Sequence, residues 1–293
     1  MNMQREKEWH TYRFYPKYEY QLDEVVHQIV MPLASDLTGE VHYYYYLRRE
    51  DHHGHHIMAG FRLADEEAER LRFRIRHDCN QLLHAMEDER PRLRRRQLPS
   101  ENPAEQQPAV RPYKREPVFG ENPAAGIVWP DLLLKRSTDL AFFNIENELL
   151  GGTDRAAAVT LMMHQAIRSG LCSTDAAVRF LEKYAAHCIQ TCADPDLSGS
   201  LDRAVAMNER EFRSQWTRSL NNVHLLRTIR PFIEELASVR HQVEDQLIPS
   251  PPFEEFLFHY LHDTNNRLGI SHEEEAYIAK LLHKSLEKNS KYA

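Results

Sequence analysis

The chain has 293 residues, of which 42% are hydrophobic and 28% are charged, and its formal net charge is -7 at pH 7. This size and composition fit a globular protein with a sizeable core, and the negative charge argues against general attraction to nucleic acid. Four scattered cysteines exclude a disulfide framework and fit a reducing cytoplasm. Because there is no apolar targeting stretch and no membrane-spanning apolar run, we expect a cytoplasmic protein with neither nucleic acid nor membrane as a partner.

The first 88 residues predict antiparallel strands and helices. "WHTYRFY" at 9–15 alternates like a strand, and the apolar spacing within 21–37 is that of a helix. "EVHYYYYLRRE" at 40–50 predicts a second strand whose successive tyrosines face opposite sides of a sheet. "HHIMAGFRL" at 55–63 is its expected hairpin partner across the loop "DHHGHH", and Asp65 is the expected N-cap of the next helix.

A passage rich in proline and arginine separates this part from the rest. Residues 89–110 hold five arginines and four prolines and predict a mobile loop. The remainder, 111–293, is predicted to be mainly helical. We therefore predict an α+β class: a single fold over 1–293, in which N-terminal antiparallel strands and a hairpin (1–88) pack with a largely helical C-terminal part.

Helix signals run through the C-terminal part. "YKREPVF" at 113–119 predicts a short strand, and a helix over 131–150 follows it. Ser173 is the expected N-cap of a later helix, and Ser271 with Glu274 has the spacing of a capping box for the last helix.

Two groups of metal-ligand side chains have simpler explanations. The loop "DHHGHH" at 51–56 offers imidazoles and a carboxylate, which bind zinc or copper, but adjacent histidines rarely converge on one ion without distant partners. Cys188 and Cys192 share a helix face, yet no second ligand pair is evident. The phosphate-loop, GxSxG and HExxH motifs are missing from the sequence. We expect no metal or other cofactor, and a metal-binding protein that uses the histidine loop stays open as an alternative.

Three stretches carry a more specific pattern: "YYYYLRREDHHGHHIMAGFRL" at 43–63, "YKREPVFGENPAAG" at 113–126 and "HDTNNRLGI" at 262–270. In their order and spacing they resemble the C-terminal domain of lantibiotic dehydratases and its stand-alone relatives, the thiopeptide-type bacteriocin biosynthesis proteins. The resemblance spans most of the chain. The third stretch matches a His-x-x-x-Asn-Arg-Leu-Gly-Ile signature through His262, Asn266 and Arg267.

The first two stretches match the family only in part. Arg48 ends the aromatic strand as in the family, but Met58 and Gly60 stand where two alternating arginines belong. In the second stretch Glu116 fits a Tyr-x-x-Glu-x-x-Arg-Tyr-Gly-Gly pattern, whereas Phe119 replaces its arginine. Three arginines of the pattern are therefore replaced, by Met58, Gly60 and Phe119, and its glycine pair is reduced as well.

The resemblance implies one of two reactions on a ribosomally made, modified precursor peptide. Eliminases remove glutamate from glutamylated Ser or Thr, and their arginines are expected to hold the glutamyl carboxylate. Pyridine-forming members join two dehydroalanines by a formal [4+2] cycloaddition and then expel water and the leader peptide. Replacing three arginines forfeits several charge-assisted hydrogen bonds of roughly 1.5–3 kcal/mol each, so we favour cycloaddition, provided that no other arginine, such as Arg49 or Arg62, has taken over.

The same resemblance assigns candidate roles to site residues. His262 is the expected proton shuttle, Tyr260 a hydrogen-bond donor to the amide oxygen, and Glu116 the group that orients the histidine or takes a proton. The candidates for substrate binding are Arg48, Tyr44, Tyr46, Tyr113, Asn266 and Arg267. Asn266 and Arg267 are equally explained as structural residues that tie a helix end to a turn.

Other functions remain open. The protein is either the pyridine-forming enzyme, a glutamate eliminase of a split dehydratase, or a scaffold without catalytic activity in a modification complex. In each case the expected partners are the modified precursor peptide, with its leader and dehydroalanine-containing core, and other modification enzymes. The leader is expected to add to an exposed sheet edge or to bind the basic segment at 89–110.

Overall fold

A computed structural model describes residues 7–37, 43–86, 109–113, 130–149, 155–192, 194–247 and 251–290. The chain divides into two compact units, one formed by residues 1–119 and 129–151 and the other by 120–128 and 152–293. The α+β class is confirmed, because the first unit contains an antiparallel sheet and the second is helical. The helix at Asp131–Leu149 belongs to the first unit, whereas the sequence grouped it with the C-terminal part.

The sheet of the first unit has four antiparallel strands in the order β2-β3-β1-β4. The strands are β1 (Glu8–Tyr15), β2 (Tyr43–Asp51), β3 (Gly54–Leu63) and β4 (Ala109–Tyr113). The predicted hairpin of β2 and β3 is confirmed, but its loop is shorter than predicted because Asp51 already pairs with Gly54. The predicted strand at 113–119 shares only Tyr113 with β4, and residues 114–119 lie outside the described part, so this strand stays a prediction.

Five α-helices and a 3-10 turn at Glu19–Gln21 complete the described part of the first unit. A π-helical turn joins α1 to α2, and another joins α3 to α4. The bounds are α1 (Leu22–Val25), α2 (Met31–Asp36), α3 (Asp65–Arg74), α4 (Asn80–Ala85) and α5 (Asp131–Leu149). Asp65 is the first residue of α3 and not its N-cap; Ala64 has the cap position, and its N–H donates to the Glu67 carboxylate at 3.2 Å.

The two faces of the sheet differ because side chains alternate along each strand. Tyr46 and Phe61 lie on one face and are fully buried, and Phe142 of α5 stacks on Tyr46 with 5.7 Å between ring centroids. Tyr45 and Gly60 are cross-strand partners on the opposite face. The predicted alternation of the tyrosine run is therefore present.

The second unit consists of helices in its described part: α6 (Arg155–Gly170), α7 (Thr174–Thr191), α8 (Leu197–Leu220), α9 (Val223–Glu244), α10 (Phe253–Leu268) and α11 (His272–Ser290). Ser173 is the N-cap of α7 as predicted, and its hydroxyl accepts from the Ala176 N–H at 3.1 Å. The capping box is also present, since the Ser271 N–H donates to Glu274 at 2.8 Å.

A tight corner joins α10 to α11. Gly269 has φ 67°, a left-handed conformation that glycine adopts without steric cost. The N–H of Ile270 donates to the Asn265 carbonyl at 2.9 Å, and the N–H of Gly269 donates to the Asn266 carbonyl at 2.8 Å. This pair of bonds is a Schellman motif, which satisfies carbonyls at the end of α10 and fixes the direction in which the chain leaves it.

Two further expectations concern the segment at 89–110 and membrane-spanning helices. The predicted mobile loop at 89–110 lies outside the described residues up to 108, and its last two residues belong to β4. None of the described helices is both long enough and apolar enough to cross a membrane.

Candidate active site

A buried carboxylate holds the histidine of the C-terminal signature. His262 lies on α10 and Glu275 on the first turns of α11, and His262 Nδ1 is 3.2 Å from Glu275 Oε2. The side chains are 12% and 1% exposed, respectively. The corner between the two helices brings the pair together across thirteen positions of sequence, and a histidine beside a buried carboxylate is suited to acid–base chemistry.

Glu275 is the acceptor at the centre of a hydrogen-bond network. The Tyr184 hydroxyl donates to Oε2, the Asn265 side-chain amide lies 3.3 Å from the same oxygen, and the Cys188 thiol lies 3.9 Å away. Burial, and then the negative charge of Glu275, raises the pKa of Tyr184 well above its ordinary value, so this hydroxyl keeps its proton. An ionised carboxylate only accepts hydrogen bonds, which is the role that these donors require of Glu275.

A second histidine lies beside the first. His272, the first residue of α11, stacks on His262 with 5.0 Å between ring centroids and 15° between ring planes. The two Nε2 atoms are 3.4 Å apart, which is within hydrogen-bond distance. Glu275, His262 and His272 therefore form a continuous chain of titratable groups, called here the His–Glu chain.

The other signature residues lie deeper in the second unit. Tyr260 is 1% exposed and stacks between the rings of Phe232 and Phe256, a position that favours packing over contact with substrate. Arg267 is completely buried, and Asn266 is half-buried at the end of α10, where its carbonyl takes part in the Schellman motif. These positions fit the structural interpretation, and direct substrate contact by Asn266 and Arg267 stays a prediction.

Of the sheet candidates, three share one face of β2. The Tyr44 hydroxyl donates to Asp139 Oδ1 of α5 at 2.5 Å and accepts from Lys135 Nζ at 3.0 Å. Burial, and then the hydrogen bond to Asp139, raises the pKa of Tyr44. Tyr46 is fully buried. Arg48 forms a salt bridge with Asp23, whose side chain is 4% exposed. All three side chains already have partners within the first unit, so their predicted role in substrate binding stays untested.

Two of the replaced arginine positions, those of Met58 and Gly60, lie on the opposite face of the sheet. The Tyr45 ring lies against Gly60 so closely that a Cβ at position 60 would be 2.2 Å from Tyr45 Cε1. Arg13 of β1 is the cross-strand partner of Met58, and its guanidinium bonds Asp51 at 2.6 Å. Tyr113 is the last residue of β4, whereas Glu116 and Phe119 lie outside the described residues.

One group of described side chains has the composition of a metal site. Cys188, His262 and Glu275 each offer a ligand atom, and these atoms lie within 4.8 Å of one another. However, Tyr184 and Asn265 also direct hydrogen-bond donors at Glu275 Oε2, so hydrogen bonding accounts for the convergence without a cation. Among the described residues, no such group forms at the histidine hairpin, where His56 is instead buried against Tyr15.

The fold, and the corner between α10 and α11 that carries the signature residues, can now be compared with known protein families. The family model described as "Lantibiotic biosynthesis dehydratase C-term" matches residues 9–286, and the chain belongs to this family. The resemblance seen in the sequence is thereby confirmed. No curated protein matches the chain.

Solved structures give the same fold. The chain is similar to the structure described as "Pyridine synthase, TbtD, from thiomuracin biosynthesis", with TM-score 0.69 and 15% identity over 97% of this chain and 99% of that one. It is also similar to the tRNA-dependent lantibiotic dehydratase MibB from Microbispora sp. 107891, with TM-score 0.61 and 14% identity over 97% of this chain and 28% of that one. TsrL matches with TM-score 0.55 and 12% identity over 96% of each chain.

Sequence reasoning missed the partners of His262. The sequence assigns no role to Glu275, His272 or Tyr184 beyond their places in predicted helices. One signal was available: His272 and Glu275 are three residues apart and share a helix face, directly after the signature. That spacing does not reveal which neighbour the face meets, so the contact itself required the structure.

Proposed function

We propose that this chain acts on a ribosomally made precursor peptide, joining two dehydroalanines by a formal [4+2] cycloaddition and releasing water and the leader peptide. Family membership and the likeness to a structure described as a pyridine synthase support peptide modification. The four described cysteines are free thiols, which fits an enzyme that works in the cytoplasm beside the ribosome and other modification enzymes.

The proposal of cycloaddition over glutamate elimination rests on the contact between Gly60 and Tyr45. An eliminase needs arginines at this part of the sheet to hold the leaving glutamate, because a guanidinium fork binds a carboxylate efficiently. The Tyr45 ring already fills the space that a side chain at position 60 would need. A sheet face without these arginines is better suited to planar, uncharged dehydroalanines than to a glutamyl carboxylate.

The pair of His262 and Glu275 supplies the acid–base part of the proposal. Cycloaddition requires the amide to shift a proton from nitrogen to oxygen, and pyridine formation then requires protonation of a departing hydroxyl. An imidazole can carry the proton from the amide nitrogen to the oxygen in the first step, and in the second step it can take a proton from the ring and give it to the departing hydroxyl. Glu275 orients the ring and stabilises its charged form at a distance of 3.2 Å.

Reconstitution with a precursor peptide tests the proposal. A leader-bearing peptide with two dehydroalanines is incubated with the wild-type protein and with His262→Ala, and products are followed by mass spectrometry. We expect a macrocycle and the released leader as its carboxamide from the wild type, with turnover lowered about 10²- to 10⁴-fold in the variant. If the folded wild-type protein leaves the dehydroalanine peptide unchanged, cycloaddition is excluded; an equally active variant would instead remove His262 from the mechanism.

Glutamate elimination is the second candidate, and one observation favours it. Arg13 lies directly across from Met58, so a guanidinium is present next to a position that has lost one. Its bond to Asp51, and that of Arg62 to Asp131, would have to be exchanged for bonds to the substrate. This reaction would be established if the wild-type protein releases glutamate from a glutamylated peptide and Arg13→Met abolishes that release.

A scaffold role would be indicated by complex formation and normal product yield with His262→Ala in the presence of the other modification enzymes.

A further inference from the structure

His262 has both ring nitrogens directed at protein groups. Nδ1 lies 3.2 Å from Glu275 and Nε2 lies 3.4 Å from His272. In this geometry both nitrogens of His262 are engaged by protein side chains. A proton that reaches or leaves His262 must therefore pass through one of these two neighbours, and only His272 can both donate and accept.

The hydrogen bonds determine where the protons lie. Glu275 accepts from several donors, so the nitrogen of His262 that faces it, Nδ1, carries a proton. In neutral His262 the other nitrogen, Nε2, then has a lone pair. Because the two Nε2 atoms are within hydrogen-bond distance, His272 must donate its Nε2 proton to that lone pair. The remaining nitrogen of His272, Nδ1, is then an acceptor.

From this geometry we infer that His272 is the residue that exchanges protons with the substrate, and that His262 and Glu275 stabilise the charge behind it. The inference rests on the proposed function for the identity of the substrate. When Nδ1 of His272 accepts a proton from the amide, the Nε2 proton of His272 moves to Nε2 of His262. His262 becomes a cation beside the Glu275 carboxylate, and His272 is neutral again in its other tautomer.

The reverse transfer completes the tautomerisation of the amide. His262 returns the proton through Nε2 to His272, which releases its Nδ1 proton to the amide oxygen, so the iminol forms and both histidines regain their starting tautomers. In the later loss of water, the same relay takes one proton from the newly formed ring and gives it to the departing hydroxyl. No proton is consumed overall, and no oxidant or reductant is needed. The positive charge is formed 3.2 Å from a buried carboxylate, where a charge-assisted hydrogen bond stabilises it.

The position of His272 fits this role. His272 is half-buried at the start of α11. Glu275 lies three residues later on the same helix face and is 1% exposed. The His–Glu chain thus runs from a buried carboxylate to a partly accessible imidazole. A residue that served only to cap the helix would not need its ring stacked on His262.

Paired substitutions separate proton transfer from positioning. In His272→Gln the amide can still donate a hydrogen bond to His262, but it cannot pass a proton on; in His272→Ala the ring is removed. We expect turnover of the precursor peptide to fall about 10²- to 10⁴-fold in both variants, and added imidazole to restore activity to His272→Ala. His283→Gln, on the same helix and also half-buried, is the matched control and should keep the wild-type rate. A His272→Gln variant with wild-type turnover overturns the inference.

A measurement without substrate keeps the inference separate from the proposed function. Nitrogen-15 NMR of the whole protein should find neutral His262 protonated on Nδ1 and neutral His272 protonated on Nε2. The opposite tautomer at His262 overturns the inference even if the protein forms a pyridine. If the expected tautomers are found and the wild type makes no macrocycle, the proposed function fails, while the proton chain can still be tested with glutamate elimination.

Discussion

Replacing Gly60 with alanine would insert a methyl group into space that the Tyr45 ring fills. The new Cβ would lie 2.2 Å from Tyr45 Cε1 and 2.5 Å from Cζ, whereas carbon atoms in contact are about 3.5–4.0 Å apart. The ring would have to move by roughly 1.3 Å or more to restore contact distance. Tyr45 is 1% exposed and has no solvent to move into. We expect the free energy of unfolding to fall by about 1–3 kcal/mol, the usual cost of overpacking a core.

Urea unfolding measures this loss, and hydrogen exchange of the β2 and β3 amides assigns it to the first unit. The matched control is Gly199→Ala on α8, where the nearest side-chain atom would be 3.6 Å from the new Cβ. That change should stabilise the helix by about 0.5–1 kcal/mol. Combining Gly60→Ala with Tyr45→Leu should recover part of the loss, because the two side chains compete for one space. The reasoning is refuted if Gly60→Ala is as stable as the wild type, or if Tyr45→Leu does not reduce its cost.

Three further substitutions probe buried polar groups. Burial lowers the pKa of His164 from 6.5 to about 4. Because the unfolded protein binds this proton more readily, the free energy of unfolding should fall as the pH drops from 6.5 towards 4. His164→Leu should reduce that pH dependence, as measured by urea titrations. Arg155→Met removes the donor to the Leu268 carbonyl, 2.8 Å away, and should lower the free energy of unfolding measured by calorimetry by about 1.5–3 kcal/mol. Arg48→Met leaves Asp23 buried without this partner and should cost up to about 3–5 kcal/mol in urea unfolding, with KM for the peptide unchanged if Arg48 acts only in packing.

Matched controls and contrary results make these expectations specific. His224→Leu, at an exposed position of α9, should leave the pH dependence unchanged, and a wild-type profile for His164→Leu would contradict the role given to burial. Arg230→Met breaks an exposed pair with Glu234 and should leave the free energy of unfolding nearly unchanged. If Arg155→Met has an equally small effect, the bond of Arg155 to Leu268 does not stabilise the fold. If Arg48→Met raises KM for the peptide and leaves the free energy of unfolding unchanged, Arg48 binds substrate and does not stabilise the fold.

Local sequence signals predicted the elements of the fold well. The tyrosine run has the alternation of a strand, and the structure buries Tyr45 and Tyr46 on opposite faces of the sheet. Ser173 and the pair of Ser271 and Glu274 begin helices as predicted, because capping depends on residues only three positions apart. These features are set by the period of the backbone and by short-range hydrogen bonds.

The site could be predicted only where a motif named it. His262 was recognisable within the signature, but the network around it is built from α7, α10 and α11, and Tyr184 lies 91 residues from Glu275. No local pattern reports such a contact. Likewise, the sequence marked Gly60 as a lost arginine, but it could not show that the Tyr45 ring occupies the place of any side chain there. Contacts between distant elements depend on how the elements pack, which single-sequence periodicity does not encode.

The corner at Gly269 makes one segment of the chain intolerant of length changes. Each residue of an α-helix turns the chain by about 100°, so one residue inserted into α10 between His262 and Leu268 would turn the corner, and α11 with it, to a different side of His262. Glu275 would then point away from His262 although every side chain of the His–Glu chain was still present. Homologues that use this histidine in the same way should therefore keep the spacing of thirteen residues between His262 and Glu275, while surface loops elsewhere vary in length.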